Sequence, residues 1–202
     1  MKIAVFGTGE VGSAISTALK TLGHDVVLGS REPGKDQDGI KVVSHADAAA
    51  HGDWVVNALH GEHAMKTFPG LPLEGKLLVD IGNWQSAVDG PIDKTLGESL
   101  AAALPGTSVV KATNFVSAQL MGHPEKLKGT HTNFVAGNDA GDREKVTQLL
   151  RDFGWTDIVD LGDLSACRAM ESLAPMWIRL NAKYGHVWFN FALLRQDEPQ
   201  AN

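Results

Sequence analysis

A short apolar run, Lys2-Ile3-Ala4-Val5-Phe6, feeds directly into Gly7-Thr8-Gly9-Glu10-Val11-Gly12, and a helical pattern then runs to Gly23. Glycines at this spacing, placed between a strand and a helix, leave few folds open: they form the phosphate turn of a dinucleotide-binding βαβ unit. Each glycine has its own steric reason. Gly7 lets the chain leave the strand in a tight turn, Gly9 removes the side chain that would block a pyrophosphate, and Gly12 lets the helix lie close to the sheet. The free amides at the helix start, contributed from Gly7 through Thr8, Gly9, Glu10, Val11 and Gly12, then face the phosphates. Ala14, Ile15, Ala18, Leu19 and Leu22 recur with helical spacing, so that helix has one apolar face.

A second strand, Asp25-Val26-Val27-Leu28, ends in Gly29-Ser30-Arg31. About 20 residues past the glycine turn, an NAD-binding chain places an acid on the ribose hydroxyls. Here the acid is absent. Ser30 can hydrogen-bond a ribose 2′-phosphate, Arg31 can grip it with a charge-assisted fork, and Lys35 can add a third positive contact from the loop. The expected dinucleotide is therefore NADP(H). Asp25 stands at the wrong end of the strand to compete, and Glu32 is expected to point away.

At 202 residues and 43% hydrophobic content, the chain can bury a nucleotide domain plus a small appendage. A net charge of -6 without a basic cluster argues against a nucleic-acid groove or an anionic membrane surface. With a single cysteine, Cys167, no internal disulfide or cysteine-based zinc site can form. The N-terminal apolar run is cut at once by the glycine turn, and Pro175, Arg179, Asn181, Lys183 and His186 interrupt the stretch from Leu173 to Leu194. A soluble, cytoplasmic protein is expected.

Strand-like and helical segments alternate along the chain. Strands are expected at Trp54 to Leu59, Leu77 to Ile81, Ser108 to Ala112, Thr132 to Ala136 and Asp157 to Asp160; helices at Ile92 to Leu104, Asp142 to Phe153 and from Leu164 to about Leu194, kinked at Pro175 and broken at Gly185. The tail from Gln196 to Asn202 is polar. This order predicts an α/β fold of the Rossmann type, a doubly wound, mostly parallel sheet with a small C-terminal helical appendage. The boundary falls at residues 1–161 for the nucleotide domain and 162–202 for the C-terminal helical segment. Ligands of such a sheet bind beyond the carboxyl ends of its strands. That nominates Leu59, His60, Asn83 and Asn114 for the cofactor and His60, Trp84, Asn114 and Phe115 for the substrate pocket.

The glycine turn, Gly29-Ser30-Arg31, Val109-Val110-Lys111-Ala112-Thr113-Asn114, and Gly162-Asp163-Leu164-Ser165 through Arg168 and Glu171-Ser172-Leu173-Ala174-Pro175 together resemble the NADPH:coenzyme F420 oxidoreductase family. The reductase domains of the membrane ferric reductases known as STEAP proteins share the pattern. The resemblance implies NADP held by Gly7, Gly9, Gly12, Ser30 and Arg31, a homodimer, and direct hydride passage to a small-molecule acceptor, a deazaflavin (coenzyme F420) or a flavin. Such transfer needs alignment rather than a dedicated acid or base, so no catalytic side chain is expected. Thr113, Phe115, Trp84 and the residues around His60 depart from the family's usual pattern, and all fall on the presumed substrate face.

Other constellations are weaker. His60 and His63 are three apart but have no evident third ligand, so no metal site is expected. Ser165 is expected to cap the last helix, with Arg168 and Glu171 paired on its surface. Met170, Leu173, Met176, Trp177 and Leu180, with Val187, Trp188, Phe189 and Phe191 beyond them, make an apolar stripe that is expected to form part of a subunit interface. A reductase of a small carbonyl or imine, and a non-catalytic sensor of the NADP pool, are the alternative functions.

Overall fold

The computed structural model describes residues 1–86 and 92–196. Among the described residues nine strands form one sheet: β1 (Lys2–Phe6), β2 (Asp25–Ser30), β3 (Gly34–Gln37), β4 (Ile40–Ser44), β5 (Trp54–Asn57), β6 (Leu77–Asp80), β7 (Ser108–Ala112), β8 (Thr132–Gly137) and β9 (Asp157–Asp160). Their spatial order is β3-β4-β2-β1-β5-β6-β7-β8-β9. From β4 to β7 every neighbouring pair is parallel. In chain order those six strands run third, second, first, fourth, fifth, sixth, the doubly wound dinucleotide-binding arrangement. β8 turns antiparallel to β7, β9 lies parallel to β8, and β3 is antiparallel to β4.

The helices are α1 (Glu10–Thr21), α2 (His45–His51), α3 (Gly61–Thr67), α4 (Leu96–Ala103), α5 (Ala118–Met121), α6 (Ala140–Asp152) and α7 (Cys167–Tyr184). Alternate strand residues face opposite sides of a sheet. Ile3 and Val5 accordingly join Ile15 and Leu19 of α1 and Val146 and Leu150 of α6 in one apolar core. Ala4 and Phe6 join Ala48 of α2, Ala64 of α3, Leu100 of α4 and Met170 of α7 in the other. Among the described residues no helix is long and apolar enough to cross a membrane.

Two expectations are corrected here. The chain after Ser30 is not an open loop: Asp38 and Gly39, with φ of 53° and 70°, make a two-residue turn between Gln37 and Ile40. An Asp-Gly pair favours this hairpin because both central residues adopt left-handed conformations. Lys35 therefore sits on the edge strand β3. The hairpin tip is held against α1, where Ser13 Oγ donates to Asp38 Oδ2 at 2.6 Å and Lys20 Nζ to the Gly39 carbonyl at 2.9 Å.

The last helix also ends earlier than its composition suggests. α7 runs through Pro175 and stops at Tyr184, where Gly185 takes the left-handed conformation of a C-terminal cap (φ 69°). Beyond it the chain straps onto β8 in non-helical form: the Thr132 amide donates to the Phe191 carbonyl, the Leu193 amide to Thr132 Oγ1, and Arg195 pairs with Asp157. The aromatic and β-branched run of residues 187–191 serves this strap. Residues 197–202 of the polar tail lie outside the described residues.

The glycine turn is sterically closed beneath and open above. A Cβ on Gly12 would stand 2.0 Å from the Gly7 carbonyl oxygen, whereas one on Gly9 would meet nothing within 4 Å. Gly12→Ala is expected to cost about 1–3 kcal/mol through forced separation of α1 from the turn, read as a fall in thermal midpoint of several degrees. An unchanged midpoint would contradict the close approach.

Candidate functional site

The strand order reverses between β1 and β5, and two adjoining cavities lie beyond the carboxyl ends of the strands. The smaller, about 360 Å³, is lined by the glycine turn at Gly7, Thr8 and Gly9, by Ser30 and Arg31 at the end of β2, and by His45, Leu59, His60 and His63. Arg31 is exposed and no carboxylate pairs with it among the described residues. Glu32 also lines this cavity instead of pointing away, because the turn curls back so that the Glu32 amide donates to Ser30 Oγ at 3.1 Å. Lys35 lines neither cavity, the consequence of its place in β3.

The larger cavity, about 590 Å³, shares Gly9, Ala58, Leu59 and His60 with the smaller. Glu10, Val11, Asn83, Trp84, Asn114 and Phe115 also line it, with Trp177 and Val187 from the C-terminal segment. Gly12 lies buried below the turn. Glu10 is drawn aside by Gln119 Nε2, which donates to its carboxylate at 2.5 Å. Phe115 is core as well as wall, 2% exposed, with its ring 5.4 Å from Phe134 and 5.9 Å from Phe191. Trp84 covers Gly61, where a Cβ would meet the indole at 2.6 Å, and its Nε1 donates to the Lys94 carbonyl.

Polar groups are few here and fixed in orientation. Asn114 Nδ2 donates to Asn83 Oδ1 at 2.9 Å and to the Met170 carbonyl at 3.0 Å. A carbonyl can only accept, so the amide hydrogens must face it and Asn114 Oδ1 is the free end. Asn83 Nδ2 in turn donates to the Asn114 carbonyl at 2.6 Å. Asn114 Oδ1, Ser117 Oγ and Trp177 Nε1 are buried without a partner among the described residues. All three residues line this cavity. The adjacent Thr113 holds φ at 48°, an uncommon conformation for a β-branched residue.

Beneath this floor lies a buried ionic network that sequence reading did not find. Lys111, fully buried in β7, donates to Asp80 Oδ2 at 2.8 Å and to the Gly82 carbonyl at 2.7 Å, and stands 3.0 Å from Glu171 Oε1. Burial alone pulls its pKa down, but the charges of Asp80 and Glu171 outweigh that and raise it above the ordinary lysine value. The ammonium therefore stays charged. Glu171 also accepts from the amides of Leu96 and Gly97 at the start of α4. It is thus committed to Lys111 and α4, and the expected pairing with Arg168 does not form; Arg168 instead donates to the carbonyls of Ile92 and Asp93. Ser165 does not cap α7, whose N-cap position is Ala166 and carries no side-chain cap; Asp163 Oδ1 accepts the Ser165 amide and caps the 3-10 turn Leu164–Ala166 that leads into the helix. Burial pushes the Cys167 thiol up to about 12, against the opposing charge of Lys111, which leaves it an inert packing group.

The loop carrying Trp84 is held by Glu62 at the start of α3. Its carboxylate accepts from the amides of Gln85 and Ser86 at 3.1 and 3.0 Å. Partial burial pushes its pKa up, and these backbone hydrogen bonds more than reverse that, lowering it to about 2.

Lys111→Met would leave two carboxylates buried without their cation, at a cost of about 3–5 kcal/mol. Urea unfolding is expected to show a midpoint lowered accordingly, and a change below about 1 kcal/mol would contradict the role given to the network.

A family model described as NADP oxidoreductase, coenzyme F420-dependent, matches residues 2–84. The metalloreductase STEAP2 of Homo sapiens is 29% identical over 176 residues, covering 85% of this chain and 35% of that protein. The F420-dependent NADP reductase of Methanocaldococcus jannaschii is 26% identical over 211 residues, covering 91% of this chain and 94% of that one. The chain thus spans about a third of the metalloreductase and nearly the whole archaeal enzyme. A crystal structure from Arthrobacter sp. FB24, assigned as an F420-dependent NADP reductase, superposes with a TM-score of 0.88 at 35% identity, covering 96% of this chain and 100% of that one. With that likeness over essentially all of both chains, this protein belongs to the coenzyme F420-dependent NADP oxidoreductase family.

Proposed function

We propose that this protein moves a hydride between NADP(H), held over the glycine turn, and a deazaflavin of the coenzyme F420 type, held in the larger cavity. The observation that carries the reading is the junction of the two cavities: a small one with a free arginine opens, across Gly9, Ala58, Leu59 and His60, into a larger and mostly apolar one. Two ligands seated there would share the boundary at Gly9, Ala58, Leu59 and His60. NADPH, when bound, supplies the hydride from its nicotinamide ring.

The cofactor fits the residues present. The space above Gly9 is clear of protein atoms, the amides opening α1 offer donors to the phosphates, and Ser30 with Arg31 offers a hydroxyl and a charged fork to the 2′-phosphate. Leu59, Ile81, Val116 and Met121 give the larger cavity apolar walls, and Asn83 and Asn114 offer polar atoms at its floor. Direct transfer asks the chain for proximity and dryness rather than a proton-transferring side chain. Glu171, the buried carboxylate at the floor, is already neutralised by Lys111.

We further propose a homodimer through the C-terminal segment. Met176, Tyr184 and Trp188 are each about half exposed and Leu194 is 93% exposed. Apolar side chains left open along one segment mark an association surface.

Arg31→Ala is expected to weaken NADPH binding about 10- to 100-fold, the worth of a charge-assisted contact, and to leave NADH binding nearly unchanged. Equal losses for both would remove the 2′-phosphate assignment. NADPH oxidation with coenzyme F420, FMN, FAD and small imines offered in parallel is expected to be fastest with coenzyme F420. Turnover with imines alone would replace the reading with a carbonyl or imine reductase, and tight binding without turnover would favour a sensor. In sedimentation the protein is expected at twice its chain mass and Trp188→Glu at the chain mass; identical masses would count against the interface.

A further inference from the structure

The smaller cavity contains a titratable side chain whose place the sequence does not announce. His45 opens α2 directly after β4, and Ser44, the last residue of β4, pairs with Ser30 at the end of β2. Sheet register thus carries the imidazole to the strand end where Ser30 and Arg31 stand. Its ring lies on Phe6, centroids 5.5 Å apart and planes 25° from parallel. A Cβ built on Gly29 would come within 3.5 Å of its Cδ2. Ser44 Oγ accepts the Asp47 amide at 3.1 Å and fixes the first turn of the helix. The imidazole is therefore seated, not loose.

We propose that His45 is the third group, beside Ser30 and Arg31, that recognises the 2′-phosphate of NADP(H), and that it takes up a proton from solvent as the phosphate binds. The proposal rests on the NADP(H) reading above. In the free protein partial burial lowers the pKa of His45, and the Arg31 guanidinium lowers it further. A phosphate dianion entering the cavity reverses that balance, because it offsets Arg31 and gives the imidazolium an anionic partner. One ring nitrogen gains a proton and no other bond changes. NADH has no 2′-phosphate and brings no such demand.

Other groups face the same space, Arg31 and Glu32 from the end of β2 and His60 and His63 from the start of α3, while Asp47 on α2 itself lies outside the lining and accepts from Ser44 Oγ at 2.6 Å. All are present whichever cofactor binds, so they set the baseline and not the difference between NADPH and NADH. The second ionisation of the phosphate, near pH 6, is common to parent and variant and cancels in their ratio.

The test is calorimetric titration of the whole protein and of His45→Asn with NADPH and with NADH at pH 6 and pH 8, repeated in two buffers of different ionisation enthalpy. His45→Gln serves as a second variant should the first fold poorly. The parent is expected to bind NADPH about tenfold more tightly than the variant at pH 6 and within about twofold at pH 8, with NADH affinity equal in both. Buffer-dependent heats are expected to show proton uptake for the parent with NADPH and less for the variant. A loss equal for NADPH and NADH, or equal at both pH values, would overturn the proposal and make the ring a packing surface for the adenosine. A parent that binds NADPH no more tightly than NADH would instead fail the underlying NADP(H) reading.

Discussion

The structure is organised around one buried cation. Lys111 has three ammonium hydrogens and three acceptors within reach, the carboxylates of Asp80 and Glu171 and the carbonyl of Gly82. A charge held this deep is tolerable only when every donor is matched. The matching here draws together chain segments far apart in sequence. Asp80 also accepts from Asn57 Nδ2 and from the Gly82 amide, so the ends of β5, β6 and β7 are fixed relative to each other. Glu171 brings α7 onto the start of α4, where its negative charge also meets the positive end of a helix. The floor of the larger cavity, from Leu59 through Gly82 to Asn114, inherits its rigidity from this network.

Above that floor the two cavities divide the work by chemistry. The smaller has glycine amides, a hydroxyl and a guanidinium, the equipment for a phosphorylated ligand. The larger has apolar walls and a few polar atoms whose orientation is set by neighbours, the equipment for a flat ring that must be aligned. The C-terminal strap completes the second cavity: Val187 lines it, and Trp177 stacks on Phe189 at 5.5 Å. The hydride transfer proposed above would need such proximity and little else from the protein.

Local features were the ones a sequence could disclose. The glycine turn, the strand ends and the pair Ser30-Arg31 follow from spacing along a continuous stretch, and they stand where expected. Lys35 stands outside both cavities because the Asp38-Gly39 turn folds it into the edge strand β3. Arg168 and Glu171 sit at helical spacing, which makes a surface pair plausible, yet Glu171 is claimed by a lysine 60 positions earlier whose nearness depends on the sheet. His45 escaped for the same reason, since only the pairing of β2 with β4 brings it beside Arg31. The tail from Val187 to Phe191 reads equally as helix or strap until Thr132 offers its backbone.

The proposed function turns on direct passage of hydride between ligands in adjoining cavities. It is tested most directly by mixing the protein with NADPH deuterated at nicotinamide C4, using each stereoisomer in turn, and coenzyme F420 in ordinary water. One stereoisomer is expected to slow the transfer step and to deliver its deuterium onto a ring carbon of the reduced deazaflavin without dilution. Loss of the label to water, or reduction with no isotope effect in a single turnover, would contradict it.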